Sequence, residues 1–480
     1  MKFFLLILSL ASILCIKVLG DKSPNFIFIL TDDQGWNSLS SAINPEFPDA
    51  KSDYHKTPNM DRLIKMGVNF TDGYAASPVC SPSRYSIQFG KSPARLKKTI
   101  VRGKSKVDHN QVGIAQLLKS INKNYLCAHL GKWHIDADPS DYGYDIHDGI
   151  TKNKEGNFHH NDHQLQWGGY AEEDPKRVNS LTDRTIAFIS KAIDENRPFY
   201  VQLSHYAVHS DLVYSTKSFA EMILDKPGKI HSNTSYAAMI MDLDKSIGNL
   251  LNTYEKLDLG RNTYIIFTSD NGGMPVLPIQ VNRGKPYKNG FNSPLVRGKW
   301  DLMEGGIRVP FHISGPGIIS EQTSNTPVIG YDLLPTIVEL AQSSKTKDEV
   351  FLPKELDGVS LVEVLKTDTS LSPKRPHDGI IFHFPHYNIV GLNEPHSAIR
   401  IGDHKLVKFY SSKRSLLFDL SVDISERKDL FLKQKLLASS LESKLDEYLI
   451  EVGAEIPEES FTWEKNGQNG KVKTQFFERY

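Results

Sequence analysis

Two apolar runs that end in clusters of acidic and amide side chains limit this chain to few architectures. Asn25 to Leu30 (NFIFIL) leads into Asp32 and Asp33, and Thr263 to Thr268 (TYIIFT) leads into Asp270, Asn271, Gly272 and Gly273. Short runs rich in aromatic and β-branched residues read as strands buried on both faces. Tyr125 to His129 and Phe199 to Leu203 read the same way. Between them the helical period returns. A helix is expected from Thr57-Pro58 to Lys65, with proline in the first turn and Gly67 closing it. Others are expected over Gly113 to Ile121, Leu181 to Asp194 and about Ser235 to Leu257; the last carries Ile240, Leu243, Ile247, Leu250, Leu251 and Tyr254 on one face. Such alternation predicts an α/β fold, a large and mostly parallel central sheet flanked by helices. Chemistry in such a sheet lies beyond the carboxyl ends of its strands.

The pattern changes near residue 370. Gly379–Phe384, Ser397–Ile401, Lys405–Phe409 and Leu416–Leu420 read as short strands separated by turns, and Gln434 to Val452 as an amphipathic helix. They predict a smaller C-terminal α+β subdomain with an antiparallel sheet, over 371–480. At the other end, Met1-Lys2 precedes an apolar run from Phe3 to Ile16, which is short for a membrane span. It reads as a signal peptide over 1–20, cleaved near Gly20–Asp21, which leaves 21–370 as the main domain and places the protein outside the cytoplasm, secreted or periplasmic. No stable membrane association is expected.

Charge excludes one class of partner. Loss of Lys2 and Lys17 from 57 basic residues, against 57 acidic ones, leaves the chain slightly negative. No global field draws in nucleic acid or a sulfated polymer, so anion recognition must be local. Only Cys80 and Cys127 would remain, too few for a disulfide scaffold. A single bridge between them is the plain reading, and the surroundings of Cys80 argue against it; Cys127 reads as a small buried hydrophobe.

Asp32, Asp33 and Asp270, with the amide oxygen of Asn271, are hard ligands suited to Ca²⁺ or Mg²⁺. Either pair alone reads as a turn or helix cap; two pairs at equivalent strand ends favour a metal. Cys80-Ser81-Pro82-Ser83-Arg84 sets a thiol near a guanidinium. Lys132 and His134 follow one strand, and His209 follows another. Together with a cation these groups would form a pocket for a tetrahedral dianion. Taken singly, each lysine reads as a surface residue and each histidine as structural.

Here the sequence resembles the formylglycine-dependent sulfatase family. Cys80-Ser81-Pro82-Ser83-Arg84, followed by Gly90-Lys91, is similar to its C-x-P-S-R signature. The resemblance continues in order through Thr57-Pro58-Asn59-Met60-Asp61, Gly131-Lys132-Trp133-His134 and Ser269-Asp270-Asn271-Gly272-Gly273. It extends through Lys299 and Glu304-Gly305-Gly306-Ile307-Arg308-Val309-Pro310 into the C-terminal part, at Ser397 to Lys405 and Leu417 to Asp429. It implies an alkaline-phosphatase-like fold and a hydrolase of sulfate monoesters. In that family a separate maturing enzyme oxidises the cysteine to formylglycine, whose hydrate attacks sulfur through one hydroxyl and releases sulfate through loss of the other's proton. Carried over, Cys80 is the modified nucleophile. Asp32, Asp33, Asp270 and Asn271, with modified Cys80, bind one Ca²⁺, for which Mg²⁺ is the rival. Arg84 and His134 orient residue 80, Lys132 and Lys299 neutralise sulfate oxygens, and His209 serves the leaving oxygen. His205 competes for that last role. Val208 stands where the family commonly has proline.

The resemblance points to the polysaccharide and aryl sulfatase branch, and so to a sulfated glycan or small sulfate ester as substrate and a formylglycine-generating enzyme as partner. A phosphonate or phosphate ester hydrolase of the same fold is one alternative. A sulfated-glycan binding protein without turnover is another; it would be expected to lack a catalytic residue, and none is missing. The loops at 147–167, 274–296 and 383–396 are expected to select the sugar. Within 383–396, His383-Phe384-Pro385-His386-Tyr387 reads equally as cleft lining or as a strand end packed on the main domain. His159, His160 and His163 read as a solvated loop rather than a metal cluster.

Overall fold

The computed structural model describes residues 23–101, 107–156, 169–170, 174–210, 212–274, 292–342, 352–388 and 394–457. The proposed signal peptide and the histidines at 159, 160 and 163 lie outside them. Among the described residues, no helix is long and apolar enough to cross a membrane.

An eight-stranded sheet forms the centre. Its strands are β1 (Asn25–Thr31), β2 (Val68–Phe70), β3 (Leu126–Gly131), β4 (Ile146–His147), β5 (Phe199–Ser204), β6 (Thr263–Ser269), β7 (Phe311–Ser314) and β8 (Gln322–Ser324). The spatial order is β8-β2-β7-β6-β1-β5-β3-β4. Only β7 runs against its neighbours. Helices flank the sheet: α1 (Pro58–Ile64), α2 (Cys80–Phe89), α3 (Ile114–Ile121), α4 (Val178–Asp194), α5 (Thr234–Lys256) and α6 (Leu333–Gln342). The alternation of side chains along a strand explains the layering. Ile27 and Ile29 of β1 pack with residues of α1, α4 and α5, while Phe26, Phe28 and Leu30 pack with residues of α2, α3 and α6. A strand covered on both faces has no polar side, which is why β1 is apolar throughout.

The C-terminal part forms a second, antiparallel sheet of four strands, β9 (Ile380–Phe384), β10 (His396–Ile401), β11 (His404–Phe409) and β12 (Arg414–Asp419), with α7 (Lys435–Glu451) behind it. Phe382, Ala398 and Val407 pack toward Tyr74 and Ile307 of the main unit. Ile381, Ile399 and Leu406 pack on Leu441 and Leu445 of α7. Expected and observed elements agree to within a few residues at their ends. Strands β2, β4, β7 and β8, the antiparallel direction of β7, and helices α2 and α6 were not anticipated.

Candidate active site

Strand register assembles the site. Leu30 pairs with Ser204 and Thr268, and Ser204 pairs with Gly131. Four neighbouring strands therefore end on one level, and the residues just beyond, Asp32, Asp270, Lys132 and His205, emerge together. Backbone bonds extend the order past the strands: Asp32 N–H donates to Ala207 O (2.9 Å), Asp270 N–H to Thr31 O (3.1 Å) and Lys132 N–H to Ser204 O (2.8 Å). Two glycines permit this closeness. A Cβ on Gly131 (φ +97°) would lie 2.0 Å from Ser204 O, and one on Gly272 would lie 2.0 Å from Gly305 O. Asp33 and His134 also have positive φ, 58° and 59°, a backbone uncommon for non-glycine residues that concentrates at functional sites.

Helix α2 brings the thiol to these strand ends. Cys80 is its first residue, and Ser81 Oγ donates to His134 O at 2.9 Å. One turn later Arg84 points back into the same place. Its Nε donates to Asp270 Oδ2 at 2.8 Å, its Nη1 donates to Lys132 O, and its Nη2 lies 3.9 Å from Asp32 Oδ2. Lys132 Nζ pairs with Asp32 Oδ2, and Lys299 Nζ with Asp33 Oδ1 at 2.7 Å. Asn271 Nδ2 donates to Asp33 Oδ1 at 2.7 Å. All of these groups are buried. Three carboxylates and three cations converge on one thiol.

A divalent cation fits the donor set. Ligand atoms of Asp32, Cys80 and Asp270 lie within 4.8 Å of one another, as do those of Asp32, Asp33 and His209. Asp32 Oδ1 and Asn271 Oδ1 are buried acceptors without a hydrogen-bond partner. Buried acceptors in that state are costly unless something positive meets them. Burial and the charge of Asp32 push the Asp270 carboxyl up, against Arg84, Lys132 and Lys299. Burial also pushes the Cys80 thiol up, opposed by Lys132 and Lys299.

The two expected histidines reach the cluster. His134 Nδ1 is buried and unpartnered. His209 Nε2 lies 3.7 Å from Asp33 Oδ2. Burial, then the nearby cations, holds both rings well below the usual histidine range. His205 differs: neither ring nitrogen has a partner, and burial alone pushes it down to about 3. The rivals thus occupy different surroundings, His209 among the charges and His205 sealed in the interior.

The loop after β4 was expected to help select the sugar, but none of the residues Thr151 to Asn153 was singled out. Thr151 O accepts from His134 N–H at 2.9 Å, and Thr151 Oγ1 donates to Gly131 O at 2.6 Å. Asn153 Nδ2 lies 3.4 Å from His209 Nε2, and its buried Oδ1 has no partner. No local motif marks these residues. Their only signal is that they follow a short strand paired with β3.

Carboxylates and a lysine at the strand ends, a buried thiol and an arginine on one helix and a second lysine thus share one buried pocket. The sulfatase family model matches residues 24–343, and the N-sulphoglucosamine sulphohydrolase C-terminal model matches residues 298–454. The chain belongs to the sulfatase family and is a sulfatase. Among curated proteins, the ulvan-active sulfatase of Formosa agariphila is 25% identical, over 92% of this chain and 84% of its own. The N-acetylgalactosamine-6-sulfatase of Homo sapiens is 28% identical, over 71% of this chain and 66% of its own. Among solved structures, Ps i-CgsB, also determined with k-i-k-neocarrahexaose, superposes with a TM-score of 0.71 at 24% identity, covering 93% of this chain and 96% of that one. A protein solved with its substrate D-glucosamine-2-N,6-O-disulfate gives a TM-score of 0.67 at 20% identity, with 92% and 100% covered.

Proposed function

We propose that the protein removes sulfate from a sulfated carbohydrate, using formylglycine made from Cys80 and one Ca²⁺ held by Asp32, Asp33, Asp270, Asn271 and residue 80. The convergence of three carboxylates and three cations on Cys80, with two acceptors left over, carries this reading. Hydrated formylglycine supplies a hydroxyl for attack on sulfur and a second whose loss of a proton releases sulfate; the cation supplies charge stabilisation.

The remaining work falls to the chain's own groups. Arg84 and His134 orient residue 80. Lys132 and Lys299 bind sulfate oxygens, and because each now pairs with a carboxylate, a cation on those carboxylates would free both ammonium groups for the substrate. A divalent cation and a sulfate-ester monoanion together would leave the balanced set one unit positive, a charge that an ionising hydroxyl of residue 80 would offset. His209, with Asn153 beside it, serves the leaving oxygen. The names of the relatives support a glycan substrate. We further infer export by a signal peptide over 1–20 and a catalytic domain over 21–370.

The test combines peptide mass analysis around Cys80 with sulfate release from ulvan and carrageenan oligosaccharides, N-acetylgalactosamine 6-sulfate, glucosamine-2-N,6-O-disulfate and 4-nitrophenyl sulfate. Formylglycine at residue 80 with sulfate release is expected. A protein carrying formylglycine that released no sulfate from any of these would sink the reading and favour a binding protein or an ester of another acid.

A further inference from the structure

Lys299 is followed by a residue that the sulfate chemistry leaves without a role. Trp300 has φ +81°. A bulky side chain enters that region at a cost, whereas glycine fills it freely. Two hydrogen bonds hold the backbone there: Trp300 N–H donates to Pro78 O at 2.9 Å, and Trp300 O accepts from Asn388 Nδ2 at 3.2 Å. Pro78 is two residues before Cys80, and Asn388 is four residues beyond β9. The tryptophan is therefore tied to the nucleophile segment, to the sulfate-binding lysine and to the C-terminal sheet at once.

Trp300 is largely covered yet keeps some exposure, while Asp301 and Leu302 beside it are buried. Phe384 meets the ring edge-on, with centroids 6.5 Å apart, and the indole packs at the margin of the cluster that contains Val79 and Leu302. Core packing alone is a weak reason to keep a partly exposed indole on a strained backbone, because glycine would relieve the strain. Strain of this kind persists where the surrounding structure is built to hold a group in place.

We propose that Trp300 is the platform on which the sugar bearing the sulfate ester stacks. An ester whose sulfur sits between residue 80 and Lys299 would extend its alcohol out of the buried anion pocket, and in the run Lys299–Leu302 the residue that keeps some exposure is Trp300. The C–H face of a pyranose ring is apolar and packs on an indole, while the sugar's hydroxyls stay wet. This inference rests on the sulfatase reading and names what grips the carbohydrate end.

The experiment uses Trp300→Gly and Trp300→Asn, both tolerant of positive φ, and Trp300→Phe, in the full chain carrying formylglycine. Steady-state kinetics are taken on whichever sulfated sugar of the screen above the parent turns over best, with inorganic sulfate as competitive inhibitor. Inorganic sulfate engages the anion pocket alone. The glycine and asparagine variants are expected to raise KM for the sugar at least tenfold, with a smaller change in kcat and sulfate inhibition within about twofold of the parent's; the phenylalanine variant recovers part of the loss. Parent-like KM in the glycine or asparagine variant overturns the inference. So does a parallel loss of kcat and sulfate inhibition, which would mark Trp300 as mere packing for Lys299. A parent that releases no sulfate from any sugar overturns the sulfatase reading itself, and this inference with it.

Discussion

Two buried clusters in this protein contain the same charges and differ in how completely they are satisfied. In the pocket, Asp32, Asp33 and Asp270 face Arg84, Lys132 and Lys299. At the junction with the C-terminal sheet, Asp72, Glu304 and Glu426 face Arg308, Arg400 and Lys405. In the junction, Lys405 Nζ bridges Glu304 Oε1 and Glu426 Oε1, both at 2.8 Å, and Glu304 N–H donates to Glu426 Oε2 at 2.7 Å. Arg308 Nε donates to Glu304 Oε2 at 2.5 Å, and Arg400 Nη1 lies 2.5 Å from Asp72 Oδ1. Tyr74 OH completes Glu304 at 2.7 Å. None of these six charged residues has an orphaned buried atom, whereas Asp32 Oδ1 and Arg84 Nη2 in the pocket lack hydrogen-bond partners. The junction's charges are satisfied by one another, whereas the pocket's leave buried atoms that a ligand could satisfy.

The largest expected effect lies in the pocket. Cys80→Ala removes the modified nucleophile and should cut sulfate release by at least about 10³-fold, leaving the melting temperature near the parent's. Turnover at the parent rate would end the proposed mechanism. In the junction the expectation reverses. Lys405→Met leaves Glu426 buried without its ammonium partner and takes one of two cations from Glu304, which keeps Arg308, and should cost about 3–5 kcal/mol in denaturant unfolding. A loss below about 1 kcal/mol would mean that the junction is not a clasp.

Calcium should separate the two clusters. After chelation, restoring Ca²⁺ at a hundredfold excess over its Kd should add about 2.7 kcal/mol of stability. Asp270→Ala should abolish that increment, and Glu426→Gln, far from the pocket ligands in sequence and outside the pocket, should keep it. A parent whose melting is indifferent to chelation and to Ca²⁺ would leave the pocket without its cation.

The pocket was legible in the sequence because parallel strands bring their ends to one level. Once NFIFIL and TYIIFT read as strands, the fold could bring Asp32 and Asp270 together, and the pairing of the two strands in register does so. The family resemblance then assigned roles that periodicity alone left open. The clasp was not legible. Glu304 and Arg308 stood inside a recognised motif without a role, because the partners of Glu304, Lys405 and Glu426, and the partner of Arg308, Asp72, lie far away in sequence and only tertiary packing joins them. Asn153 and Trp300 escaped for another reason. What distinguishes them is a contact with His209 in one case and a positive φ in the other, and neither leaves a local pattern.

The smallest expected effect tests the segment between the clusters. His396 Nε2 accepts from Leu302 N–H at 2.9 Å, and its Nδ1 donates to Glu394 O at 2.8 Å. The ring must stay neutral to do both. Burial, aided by Arg297 and Lys405, pushes it down to about 3 from an ordinary 6.5. Because the folded value lies below the unfolded one, the contribution is whole above pH 6.5 and drains away as pH falls toward 3. His396→Gln offers the same acceptor to Leu302 without titrating. Its stability should therefore fall less steeply with acidification than the parent's, by up to about 1.4 kcal/mol per pH unit. Equal slopes between pH 6 and 4 would show that acid does not enter here. A shallower slope would identify the Lys299–Glu304 segment as the place where protonation loosens the clasp from the pocket it supports.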